Sequence, residues 1–105
     1  MGKALRRADR PTDVLSRHIR RVLELVTQHH GRSVYVFGSV ARGEDTLSSD
    51  IDLMVDFEDG TSLLDHAALY GELTHLLAPY SVHLVSSRAL TARHSAIASD
   101  MRRLG

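Results

Sequence analysis

Apolar residues recur at helical spacing between residues 12 and 29, where Leu15, Ile19, Val22 and Val26 share one stripe and Val14 and Leu25 widen it. This pattern predicts an amphipathic helix, capped at its start by Thr12 and ended by Gly31 in the left-handed conformation. Residues 33–37 (SVYVF) break the period: short, apolar and rich in β-branched or aromatic side chains, they suit a buried strand. A turn at Gly38-Ser39 and a short helix over 40–43 follow, and residues 50–57 (DIDLMVDF) predict a second strand stopped by Glu58-Asp59-Gly60. Helical spacing returns over 62–77, with Leu63, Ala67, Tyr70, Leu73 and Leu77 on one side and Pro79 closing the helix. Residues 81–86 (SVHLVS) predict a third strand, and 89–103 a closing helix that begins near Thr91.

Strands alternating with helices imply an α/β fold, a small mixed sheet of three or four strands with helices packed on it. The pattern leaves the strand directions open. Residues 1–10 are expected to form a flexible arm and 11–105 a single domain; 105 residues with 43% apolar and 25% charged side chains support one core. Thirteen basic and thirteen acidic residues cancel, so no overall field draws the chain to nucleic acid or to an anionic membrane. The absence of cysteine excludes disulfides, thiolate metal sites and thiol nucleophiles. The basic opening, MGKALRRADRP, is followed by no apolar run, and nothing approaches the roughly 18 apolar residues of a membrane span. A cytoplasmic protein is expected.

The chemistry concentrates in residues 37–56, FGSVARGEDTLSSDIDLMVD. Gly38 allows backbone to approach a ligand where a Cβ would clash. Free amides at the following helix start favour a phosphate, to which Ser39 could donate and Arg42, one turn on, could add positive charge. Taken alone, Gly-Ser after a strand is equally an ordinary strand-to-helix turn. In Asp50-Ile51-Asp52, residues two apart point to one side of a strand, so the carboxylates lie together while Ile51 and Leu53 face the opposite layer. That pair is either a polar edge or a site for a hard divalent cation such as Mg²⁺. Ten residues separate Gly38-Ser39 from Asp50, enough for a short helix and a return loop. The spacing brings a phosphate-binding turn beside a metal-binding strand end, the combination that phosphoryl and nucleotidyl transfer require.

Gly-Ser, ten residues and Asp-x-Asp, in the context GSVARGEDTLSSDIDLMV, resembles the signature of the DNA polymerase β-like nucleotidyltransferases, and the Ala-Arg-Gly-Glu run resembles their minimal branch. The resemblance implies the nucleotidyltransferase fold, with Gly38 and Ser39 binding the triphosphate, beside which Arg42 is expected to add its charge, and Asp50 and Asp52 holding metal, Mg²⁺ or Mn²⁺, for ATP. It further implies an antitoxin that transfers AMP to a hydroxyl, a tyrosine of a partner HEPN-family ribonuclease toxin. The family's third carboxylate is replaced here by His83 within Val82-His83-Leu84-Val85, so the implied catalytic set is Asp50, Asp52 and His83. Imidazole is a poorer Mg²⁺ ligand than a carboxylate. The alternative implied by that exchange is a non-catalytic antitoxin that binds and occludes its toxin.

Seven histidines suggest no zinc cluster, because His18, His66, His75 and His94 lack partners at ligand spacing and His29-His30 suit a helix end. Arg17, Arg20 and Arg21 read as a solvated helix face rather than a nucleic-acid patch, and Arg102-Arg103 as the end of the last helix.

Overall fold

The computed structural model describes residues 9–89 and 99–105. The amphipathic stretch predicted as one helix forms two, α1 (Pro11–Arg17) and α2 (Ile19–Gln28), separated at His18. His18 has φ −118° and ψ 13°, outside helical geometry. Its N–H reaches back only three residues to the Leu15 carbonyl, at 3.0 Å, so the stripe continues past a break in direction. Pro11 occupies the first helical position, where a missing N–H costs nothing, and the Asp13 carboxylate accepts the Arg10 N–H at 2.9 Å. Thr12 is therefore inside the helix and does not cap it. Val14, Leu15, Val22, Leu25 and Val26 are buried, as the stripe requires.

The left-handed residue after α2 is His30, φ 68°, rather than Gly31. Gly31 instead opens β1 (Gly31–Phe37). It is glycine for want of space: a Cβ there would overlap Val26 Cγ1 and stand 2.9 Å from Val55 Cγ1.

The sheet is mixed and four-stranded, in the order β3-β2-β1-β4. β2 (Ile51–Phe57) is antiparallel to β1 and parallel to β3 (Val82–Ser86), and β4 (Arg102–Arg103) is antiparallel to β1. Ile51, Leu53, Val55 and Phe57 are buried on one face with Val34, Val36, Val82 and Leu84, beneath the stripe of α1 and α2 and the inner face of α4 (Leu63–Leu76). The opposite face carries Asp52, paired across the ladder with Phe37 and His83.

Ser62 caps α4 by accepting the Asp65 N–H at 3.2 Å. α4 buries part of the predicted face: Leu73 and Leu77 are covered, joined by Leu69, while Leu63 (87%) and Tyr70 (45%) of that face are exposed, as is Leu64 (82%). Apolar side chains surround this helix, so its periodicity did not single out an inner side. The expected closing helix is also revised. Residues 87–89 form one 3₁₀ turn, residues 90–98 lie outside those described, and Arg102 and Arg103 are in β4 rather than at a helix end. They pair with Val36 and Tyr35, and the Leu104 N–H donates to the Val34 carbonyl at 2.9 Å. Of the predicted arm, residues 1–8 lie outside those described, whereas the Asp9 carbonyl accepts the Tyr80 hydroxyl and its carboxylate meets Arg17 at 2.8 Å. Among the described residues no helix is long and apolar enough to cross a membrane.

Candidate active site

Antiparallel pairing to β1 and parallel pairing to β3 place Asp52 between Phe37 and His83 on the same face of the sheet. His83 Nδ1 stands 3.3 Å from Asp52 Oδ1, so the imidazole does reach the carboxylate side predicted for it. Phe37 meets the His83 ring edge-on, centroids 6.0 Å apart, and limits its tilt. The Asp52 side chain is mostly covered (21% exposed) and that of His83 mostly open (60%). Asp50 precedes β2 and is exposed. Burial pushes the Asp52 carboxyl above its ordinary value; His83 opposes this through charge and hydrogen bonding, the Asp50 charge adds to it, and Arg42 opposes it from farther away.

Gly38 begins α3 (Gly38–Arg42) directly after β1 with φ +71°, the left-handed region where glycine alone is unstrained. A Cβ at this position would overlap Asp52 Oδ2 and stand 3.2 Å from its Cγ. The close approach anticipated toward a ligand is thus already made toward a carboxylate, and the turn and Asp52 form one unit. Ser39 follows as the second residue of α3, half-buried, and Ala41 anchors the short helix in the core. Gly43 closes it at φ 73°. Arg42 is engaged at two atoms: Nε with Glu44 Oε1 at 2.9 Å and Nη1 with Asp100 Oδ2 at 2.8 Å. The Glu44 hydrogen bond is the larger cause, ahead of Asp100, of an Arg42 proton affinity above the ordinary value.

One element of the site escaped the sequence reading. Asp45, in the connection from α3 to β2, is 3% exposed and accepts from the Thr12 N–H at 2.9 Å and the Thr12 hydroxyl at 2.7 Å. Burial pushes this carboxyl up, but the Thr12 hydrogen bonds, its own amide and the Arg10 charge outweigh that and leave it below the ordinary range. Such a pairing across 33 positions has no periodic signal. A second feature, a cavity of about 310 Å³ at the far end of β2 and β3, is lined by Phe57, Ser62, Leu63, His66, Ser86 and Arg88. It lies apart from the carboxylates.

Among the described residues no group of three or more His, Cys, Asp or Glu side chains is arranged to hold a metal ion. Asp50 and Asp52 nonetheless suit a hard divalent cation of the Mg²⁺ kind, which is typically held by one or two carboxylates with substrate phosphates and water completing its shell. The imidazole of His83 suits such an ion poorly and a softer one such as Mn²⁺ better.

The sequence profile described as nucleotidyltransferase domain matches residues 15–103. A curated protein of Methanocaldococcus jannaschii, provisionally named a protein adenylyltransferase, is 40% identical over 58 residues, 55% of this chain and 62% of that protein. The chain thus spans about three fifths of the length of that curated relative, by the 62% coverage. A solved structure provisionally described as a minimal nucleotidyltransferase superposes with a TM-score of 0.78 at 41% identity, covering 89% of this chain and 95% of that one. The fold is shared as well, at TM-score 0.64 and 19% identity over 86% and 71% of the two chains, with a solved complex of a tri-AMPylated Shewanella oneidensis HEPN toxin and MNT antitoxin.

Proposed function

The chain belongs to the nucleotidyltransferase domain family, and we propose that it binds ATP with a divalent cation and transfers AMP to a hydroxyl of a protein partner, a tyrosine of a HEPN-family toxin. The observation that carries this reading is the unit formed by the Gly38 turn, Asp52 and His83, with Asp50 beside it. The protein adenylyltransferase name of the archaeal relative and the AMPylated toxin in the Shewanella complex support the reaction class and the partner.

In this reading the backbone of Gly38 and the Ser39 hydroxyl take the triphosphate, and Arg42 adds positive charge one turn later. Asp50 and Asp52 would hold the Mg²⁺ or Mn²⁺, which when bound neutralises phosphate charge and keeps the reacting oxygens in line. Asp52 Oδ1 can only accept, so His83 Nδ1 carries the hydrogen that faces it, and the neutral ring keeps its lone pair on Nε2. With 60% of the side chain open, Nε2 is available to take the proton of an incoming hydroxyl. Phe37 and Asp52 hold the ring for that role. The hydroxyl oxygen attacks the α-phosphorus of ATP, pyrophosphate leaves, and AMP stays on the acceptor.

An imidazole where a carboxylate would bind a second ion favours one other reading, in which the chain silences its partner by covering it. Intact-mass spectrometry of the HEPN partner after incubation with this chain, ATP and Mg²⁺ or Mn²⁺ separates the two. AMP transfer predicts a mass gain of whole AMP units that maps to tyrosine and is lost in Asp52→Asn. An unmodified partner that is nonetheless inhibited would leave occlusion as the function.

A further inference from the structure

Arg42 is the sole basic residue of the GSVARGE run, and two carboxylates already hold it. Arg42, Glu44 and Asp100 together sum to −1, so a triphosphate approaching α3 meets net negative charge where the sequence alone suggests positive. Glu44 is two residues away on the same turn and moves with it. Asp100 is different. It arrives from the far end of the chain, 58 positions on, at the head of a segment docked by the β4 ladder, by the Leu104 N–H on Val34 and by the Leu104 side chain against the core. The Arg42 side chain is 44% exposed and that of Asp100 30%, so the pair is reachable by solvent and by ligand.

We propose that Asp100 is a latch on Arg42: it occupies the guanidinium in the nucleotide-free chain, yields it to phosphate when a triphosphate binds, and so couples the site to the docking of residues 99–105. The inference rests on the nucleotide-binding reading above. Exposed ion pairs between single charges are weak, whereas a guanidinium and a phosphate group form two parallel charge-assisted hydrogen bonds. A triphosphate therefore displaces one carboxylate readily. Once Asp100 is released, segment 99–105 loses one of its anchors, and the two-residue strand and the Leu104 contacts carry more of the docking. Coupling of this kind is reciprocal: whatever pulls this segment away strengthens nucleotide binding, and whatever clamps it down weakens binding. Since the segment forms the outer strand beside β1, a partner seated on that edge would set the affinity for ATP.

The test is the affinity of a non-hydrolysable ATP analogue with Mn²⁺, by titration calorimetry at low salt, for wild type, Asp100→Asn and Glu24→Gln. Glu24→Gln removes the same charge from the unrelated Arg21–Glu24 pair on α2 and serves as the control. Asp100→Asn should bind about two- to fivefold more tightly, the range of one exposed ion pair, and the control should match wild type. Hydrogen exchange at the Leu104 amide supplies a second readout. It should quicken in nucleotide-free Asp100→Asn, and in wild type when the analogue is added. Equal or weaker binding by Asp100→Asn, or a Leu104 amide indifferent to the analogue, overturns the latch. Absence of binding in wild type and Asp100→Asn alike overturns the nucleotide reading itself.

Discussion

Replacing Gly38 with alanine makes two demands on the turn that glycine avoids. At φ +71° a residue with a Cβ carries roughly 1–2 kcal/mol of backbone strain. The new methyl also lands on Asp52, overlapping Oδ2 and crowding Cγ at 3.2 Å, while the Asp52 Cβ at 3.5 Å is in ordinary contact. The carboxylate is the free end of a side chain and can rotate clear. Doing so draws Oδ1 away from His83 and leaves an off-rotamer angle worth about 0.5–1.5 kcal/mol. The two parts sum to about 1.5–3.5 kcal/mol, and at about 4–8 °C per kcal/mol for a domain near this size the thermal midpoint should fall by at least about 6 °C. Asp52→Ala separates them, because it removes Oδ2 and Cγ and leaves only the Cβ at its tolerable distance. In that background Gly38→Ala should cost the backbone strain alone, so the double-mutant cycle shows a coupling of about 0.5–1.5 kcal/mol. Circular-dichroism melts of the four proteins measure it. Strict additivity would mean that the methyl never meets the carboxylate, and the turn and Asp52 would then be independent.

Asp50→Asn combined with Asp52→Asn should abolish the metal-dependent part of stabilisation by ATP, about 2.7 kcal/mol at a hundredfold excess over Kd, while leaving the fold intact; thermal shift with and without Mg²⁺ reads this. Asp45 is held below its ordinary value in the fold, so its contribution is complete above the unfolded carboxylate range near pH 4 and is lost as pH falls through the lower folded value. Asp45→Asn should therefore weaken the fold at neutral pH by roughly 1–3 kcal/mol and flatten the acid limb of a stability–pH curve; an unchanged limb would assign that acid sensitivity to other groups. If the chain occludes its partner without catalysis, His83→Asp should bring AMP transfer in Mg²⁺, measured with labelled ATP, from nothing to measurable by supplying a hard oxygen beside Asp52. No increase would show that the imidazole is not what limits the reaction.

The juxtaposition of Asp52 and His83 was legible through the family resemblance, which sets His83 where a third carboxylate faces the Asp pair; a period of two on a short strand put Asp50 and Asp52 on one side but does not say which strand lies beside them. Gly38 was legible as a position without room for a Cβ, though the obstacle proved to be Asp52. Other features depend on distances that one-dimensional periodicity does not carry. The break at His18 lies within an unbroken apolar stripe. Gly31 is demanded by Val26 and Val55, the second far off in sequence, and the left-handed residue shifted to His30. α4 offered apolar residues on all sides, so which leucines were inside was decided by the sheet and not by the helix. β4 is two arginines long, too short and too polar to announce a strand, and exists because the edge of β1 accepts it. Asp45 carries no periodic signal, because its partner Thr12 lies 33 positions away.

That last contact has a consequence for the energetics of ligand capture. The stretch between α3 and β2 that delivers Asp50 is held at Asp45 by two hydrogen bonds from α1, bridged within by Ser49 Oγ accepting the Thr46 N–H, and fixed at its exit by the Ile51 N–H on the Ser81 carbonyl. A connection fastened at both ends has little conformational entropy left to lose, so in the proposed cation-binding role Asp50 is preorganised and little of the binding free energy goes into ordering it. It also ties the shape of the site to a threonine on the first helix, at the opposite end of the sequence from His83. If the chain binds cation and nucleotide as proposed, loosening at Thr12 would register as a slower, weaker capture, with every proposed ligand residue unchanged.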